Sequence, residues 1–303
     1  MIKGMKKLWA SAAAVLALAG CATQPGAERA GASAAAQRPA MWKVADADTT
    51  LYLFGTIHLL PEGRTWRTPA FEQALAAADE LVLEVANVDD PNAMVGAMMK
   101  LGMSPNLPPL RERVPEAKRA ALDSMVAETG YPAAVLDRLE TWAAAMSLLG
   151  VSFKRLGLDP ALGVESTLTA PWKASGRPVR GLETVEEQFG FFDALPEAEQ
   201  RAFLEGVLES PGDAKKQFDA MMNAWAAGDV DGLARAFAEE QNLTPKLRDV
   251  LLTRRNARWA EWLDARMDKP GTAFVAVGAG HLTGADSVQA MLKARGHKAK
   301  RVQ

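Results

Sequence analysis

The chain has 303 residues, 49% hydrophobic, 24% charged and 7% aromatic, with a formal net charge of −2. That mixture excludes disordered, collagen-like and disulfide-scaffold classes, and it provides no basic footprint for nucleic acid. Three histidines and a single cysteine are the scarce chemistry, so their positions carry more information than the bulk numbers.

The first seven residues carry Lys3, Lys6 and Lys7 without an acid, and Leu8 to Ala19 is an apolar stretch too short for a permanent membrane span. It ends in Leu18-Ala19-Gly20-Cys21, which resembles a bacterial lipoprotein box. Residues 1–20 are therefore expected to be a removed signal, and Cys21 to carry lipid. Loss of that signal takes the formal charge from −2 to −5, so lipid rather than electrostatics would hold the body to a membrane. Ala22, in place of Asp, resembles lipoproteins sent to the outer membrane. Residues 21–40 are rich in Ala, Gly, Ser and Pro and read as a flexible tether at the periplasmic face. The folded domain is expected over 41–303.

Strands are expected at Met41–Val44 and Thr50–Gly55, joined in a hairpin by Asp46-Ala47-Asp48-Thr49. Thr68-Pro69 supplies an N-cap and an N1 proline for a helix running to about Ala78. Glu80–Val85 is a strand. Pro91–Lys100, Pro115–Thr129 and Pro132–Leu149 read as helices, and Arg177–Leu182 as a strand. From Thr184 to Met267 the pattern is helical, broken at Pro196, Pro211-Gly212, Gly228 and Pro245. Thr272–Gly278 is apolar on both faces and predicts a buried strand. A helix at Ala285–Ala294 and a short strand at His297–Val302 complete the chain. The alternation predicts an α/β protein: a central mixed, mostly parallel sheet flanked by helices, with helical insertions forming a cap.

A local echo directs attention to the site. Leu51–Leu59 (LYLFGTIHL) and Phe274–Leu282 (FVAVGAGHL) share an apolar strand followed by Gly-x-x-His-Leu. Both histidines, His58 and His281, lie in turns leaving strand C-termini, where open α/β sheets bind ligands. Glu84 ends another strand and can reach the same edge. Two histidines and a carboxylate there can make a three-ligand metal site with an open position, suited to hydrolysis, the alternative being core histidines and a solvated strand-end Glu84. Glu183 closes the next strand, either as a fourth ligand or as a general base acting on metal-bound water. Arg255 stands in an apolar stripe with Leu251, Leu252, Trp259, Trp262 and Leu263, and a charge so placed either carries its head to water or needs a partner or a substrate anion. Asn256 beside it can orient the substrate or a ligand. His297 has no such context and reads as a surface residue. Trp142 and Trp225, at helical spacing, read as core.

Five short motifs then occur in order: Leu53-Phe54-Gly55-Thr56-Ile57-His58, Leu83-Glu84, Gly181-Leu182-Glu183-Thr184 with Glu187-Gln188, Arg255-Asn256 with Trp259, and Gly278-Ala279-Gly280-His281-Leu282. Together they resemble the TraB/GumN family, which is similar to the TIKI proteases and more distantly to erythromycin-esterase and ChaN-like folds. Glu165 also fits a family position. Val85-Ala86-Asn87 departs from the family, which often has a further acid there. The resemblance implies a metal-dependent hydrolase, expected to be a peptidase, with manganese or cobalt as the ion and zinc an alternative. Its substrate would be a peptide or a small molecule. A non-catalytic module that sequesters a peptide or other ligand in the same cleft is the rival expectation.

Overall fold

The computed structural model describes residues 37–86, 90–208, 211–239 and 244–303. The expected signal, Cys21, most of the tether and Asn87 lie outside the described residues. Six strands form one mixed sheet: β1 (Met41–Ala45), β2 (Thr49–Thr56), β3 (Glu80–Val85), β4 (Val179–Glu183), β5 (Gly271–Gly278) and β6 (Lys300–Arg301). Their order is β4-β3-β5-β2-β1-β6. The β4/β3, β3/β5 and β5/β2 pairs are parallel, whereas β1 pairs antiparallel with both β2 and β6. The predicted hairpin is therefore real. Asp46 turns it, its carboxylate accepting from the amides of Asp48 and Thr49.

The apolar strand β5 is central and covered on both sides, as its sequence requires. Phe274 and Ala276 enter a core with Phe54, Phe71, Trp172 and Trp225, built from helices Pro69–Ala77, Val164–Ala174, Pro211–Ala227 and Val230–Glu239. Ala273, Val275 and Val277 face the opposite layer, against Trp259, Ala260 and Leu263 of helix Arg254–Met267 and Leu292 of Val288–Ala294. Side chains alternate along β3 in the same way: Leu81 and Leu83 take the first face, while Val82 takes the second. Glu80 and Glu84, in phase with Val82, therefore face helix Arg254–Met267. Glu80 is met there by Arg266 and from β4 by Arg180.

The cap has an apolar core of its own. Helices Pro91–Leu101, Arg119–Thr129, Thr141–Arg155, Val185–Asp193 and Glu197–Val207 converge on Trp142, which is fully buried against Phe189 and Phe192. Helix ends follow the sequence signals. Thr68 accepts from the Phe71 amide, Thr184 and Glu187 form a capping box, and Gly130 closes its helix with a φ of 73°.

The structure breaks one expected helix and distorts another. Pro132–Leu149 is divided into Ala133–Leu136 and Thr141–Arg155. The cause is Arg113, almost fully buried, whose guanidinium donates to the carbonyls of Pro108, Asp137 and Leu139. Turning those carbonyls toward one cation is incompatible with continuing the helix through them. The helical pattern expected between Pro245 and Met267 begins as Pro245–Arg248, widens into a π-helical segment at Asp249–Thr253, and resumes as Arg254–Met267. Smaller differences are strand β4, displaced to Val179–Glu183, the last helix, which starts at Val288, and β6, which is only Lys300–Arg301. Among the described residues no helix is long and apolar enough to cross a membrane.

Candidate functional site

Parallel pairing of β2 with β5 runs to Thr56↔Gly278, so the two Gly-x-x-His turns leave the sheet side by side. Strand β3 lies against β5 on its other side, and β4 against β3, with Val85 opposite Glu183. Four strand ends thus deliver His58, His281, Glu84 and Glu183 to one edge. Gly278 is the meeting point. A Cβ placed on it would lie 2.9 Å from Glu84 Oε1, 3.5 Å from His281 Cδ2 and 3.6 Å from His58 Nε2. Only glycine leaves that space open to a ligand.

Arg255 enters from the helix Arg254–Met267, directly after the π-helical segment, and its Nη1 donates to the Leu251 carbonyl at 3.0 Å. The partner demanded by an arginine in an apolar stripe is double. Nη2 donates to Glu84 Oε2 at 2.6 Å and to Glu183 Oε2 at 2.8 Å, and Nε also meets Glu183. Two buried carboxylates share one buried guanidinium, which lies over the Trp259 ring with its carbon 4.8 Å from the centroid. Glu183 is further engaged by Trp259 Nε1 at 3.0 Å and by the half-exposed Arg258. Its oxygens are occupied as the anchor of Arg255. Glu84 accepts from the Gly278 amide at 2.7 Å. Burial alone would raise its pKa, but Arg255, followed by the two histidines and that amide, holds it well below the carboxylate range.

His281 is buried in the 3-10 turn Ala279–Leu282, with its ring 4.2 Å from that of Trp259. Asn256 sets its tautomer. The Asn256 amide nitrogen donates to the Asp286 carbonyl at 2.8 Å, which leaves Oδ1 as an acceptor 2.6 Å from His281 Nδ1. Nδ1 therefore carries the proton, and Nε2 presents a lone pair 3.2 Å from Arg255 Nη1. Desolvation lowers the ring's pKa to about 3, against the opposing pull of Glu84. His58, whose side chain is 53% exposed, meets Glu165 at 2.7 Å through Nδ1. That carboxylate raises its pKa to about 9, so this ring holds a proton at neutrality.

All six candidates, His58, Glu84, Glu183, Arg255, Asn256 and His281, stand within this cluster, Asn256 through its contact with His281. His297 lies apart, paired with Asp264 at 2.7 Å near the surface. Trp142 and Trp225 are core. Sequence reasoning quoted Gln188 in a motif but gave it no role; its amide nitrogen bridges Glu84 Oε2 at 3.1 Å and Glu183 Oε2 at 3.3 Å. The available signal was the Thr184-x-x-Glu187 capping box, which places Gln188 in the first turn after Glu183.

Two neutral-capable imidazoles and a carboxylate around an open glycine are a donor set with the chemistry of a divalent site. The spacing is not closed: among the described residues, no group of three or more His, Cys, Asp or Glu side chains is drawn together as a metal cage. The guanidinium of Arg255 lies on Glu84 Oε2 and His281 Nε2. Glu84 Oε1 and His58 Nε2 face Gly278 instead.

The fold and site define an α/β protein with a His–Glu–Arg cluster at the carboxyl edge of its parallel strands. Residues 40–301 match the family model described as the TraB/PrgY/gumN family, and the chain belongs to that family. It is 27% identical over 244 residues to the uncharacterized protein YbaP of Escherichia coli strain K12, covering 80% of this chain and 87% of the relative. An uncharacterized protein of Treponema pallidum is 22% identical over 275 residues, with 84% and 80% covered. No solved structure matches the chain.

Proposed function

We propose that this chain is a divalent-metal-assisted hydrolase acting on peptide bonds, tethered to the periplasmic side of the outer membrane by lipid on Cys21. The observation that carries the reading is the convergence of both Gly-x-x-His turns and Glu84 around the open Cα of Gly278. His58, Glu84 and His281 would hold the ion, with manganese or cobalt favoured by the family resemblance and zinc as the alternative. A divalent ion there supplies Lewis-acid polarisation of the scissile carbonyl.

The rest of the work falls to the chain's own groups. Asn256 keeps the His281 lone pair on Nε2, where it meets Arg255 Nη1. Glu183 and Gln188 hold Arg255 and Glu84 in place, so Arg255 offers a fixed positive charge to an oxyanion without reorganising. His58, the exposed member, exchanges a proton at Nε2.

The test is turnover of a peptide library by the purified protein, with and without added manganese, cobalt or zinc. His58→Ala and His281→Ala are each expected to abolish turnover and ion retention, and the double variant to lose no more. An active double variant overturns the reading. Ion bound with no turnover on any peptide would move the assignment to a ligand-sequestering module. Anchoring is tested separately by intact mass: Cys21→Ser should release an unlipidated form.

A further inference from the structure

Glu165 stands outside the Arg255 network and meets His58 and Thr56 instead. It lies in the first turn of helix Val164–Ala174. A carboxylate there is favoured by the helix dipole and needs no further partner. Yet Glu165 points inward. Oε1 accepts from the Thr56 hydroxyl and lies 2.7 Å from His58 Nδ1, while Oε2 is buried and, among the described residues, has no partner. Thr56 restrains the carboxylate, and among the described residues His58 is the cation paired with it.

The backbone enforces this meeting. Gly163 passes so close to the His58 turn that a Cβ on it would lie 1.9 Å from the His58 carbonyl oxygen. The next residue, Val164, donates its amide to the Ile57 carbonyl at 3.1 Å. Glu165 follows immediately. Three consecutive residues, Gly163, Val164 and Glu165, thus dock on Thr56, Ile57 and His58, and the approach is open only to glycine at its first step.

We propose that Glu165 is the positioning carboxylate of His58: it holds the Nδ1 proton, so that Nε2 is the working nitrogen turned toward Gly278. A ring fixed at one nitrogen by a carboxylate has its orientation and tautomer determined, whether the other nitrogen moves a proton or binds an ion. What Nε2 then does rests on the hydrolase reading; the hold on Nδ1 stands without it.

The chain contains three histidines, which makes the test direct. The protonation of each ring nitrogen can be read from its coupling to the ring C–H groups in 15N-labelled full chain, in alkaline solution where the rings are neutral. Wild type should show His58 with the proton on Nδ1. Glu165→Ala should shift it to the Nε2–H form that free imidazole prefers, and Glu165→Gln, whose amide oxygen still accepts, should largely restore Nδ1–H. Unmoved signals from His281 and His297 report that the variants are folded. A His58 pattern identical in wild type and both variants overturns the proposal, as does Nε2–H in the wild type. In turnover assays Glu165→Ala should lower kcat about 10- to 100-fold with little change in KM. Nδ1–H in a wild type that cleaves no peptide upholds the positioning role and defeats the hydrolase reading alone.

Discussion

The two Gly-x-x-His turns are close copies in sequence and opposites in chemistry. His281 is buried, bonded at Nδ1 to a neutral amide and kept uncharged down to about pH 3. His58 is half-exposed, bonded at Nδ1 to a carboxylate and kept protonated up to about pH 9. Both face Gly278 with the remaining nitrogen or ring edge. The repeated motif supplies a position at a strand end; the group at Nδ1 decides what the ring does there. Paired groups driven to opposite protonation states in one cleft are the arrangement from which acid and base roles are assigned.

The comparison can be broken at several points. The largest effect on stability is expected from Arg255→Ala, which strands Glu84 and Glu183 as buried anions and should cost about 3–5 kcal/mol in urea unfolding. An unchanged midpoint would show that the two carboxylates do not depend on that cation. Asn256→Ala leaves the His281 Nδ1–H without its acceptor, at a cost of about 1–3 kcal/mol. Asn256→Asp is the sharper variant, because it gives His281 the kind of partner that His58 has. Its pKa, followed by NMR titration, should rise; a value that stays low would mean that burial outweighs any neighbour.

The pH dependence of stability should have two arms of opposite sign. Between about 3 and 6.5 the folded His281 binds less proton than the unfolded ring, so stability falls as the solution is acidified through that window. Glu84, held ionised, adds to the same loss once the pH falls into the ordinary carboxylate range and below. Between 6.5 and about 9 the folded His58 binds more proton than the unfolded ring. Its contribution is complete below 6.5 and disappears as pH rises through 9. Thermal midpoints should therefore decline on both sides, and Glu165→Gln should flatten the alkaline arm alone. Ion affinity should also weaken already below about pH 9, since binding must displace the His58 proton. The smallest effect is expected from His297→Ala, whose surface pair with Asp264 is worth under about 1 kcal/mol.

Strand ends and periodicity made His58, Glu84, Glu183 and His281 legible, because each follows or closes an apolar run whose direction the parallel sheet then imposes. Arg255 was legible as a charge out of place in an apolar stripe. The partners were not. Nothing local connects Asn256 to His281, Glu165 to His58, or Gln188 to Glu84, since those meetings depend on how helices settle on the sheet. The same holds for Arg113, which breaks a helix from a distance by collecting carbonyls on either side of residue 138. Periodicity reports which face is buried, whereas a hydrogen bond between distant elements leaves no period.

Glu80 and Glu84 sit on one face of β3, and Arg266 and Arg255 answer them from a single helix. Four residues of strand span about 13 Å, and eleven residues of helix about 16 Å, so one helix is bolted to one strand at two well-separated points. A single ion pair would permit the helix to pivot about its contact or slide by a turn. Two forbid both, because any rotation that suits one arginine withdraws the other. Arg255 is thereby a stationary charge rather than a mobile arm, and under the proposed function a substrate would reach it from the side that the exposed His58 borders.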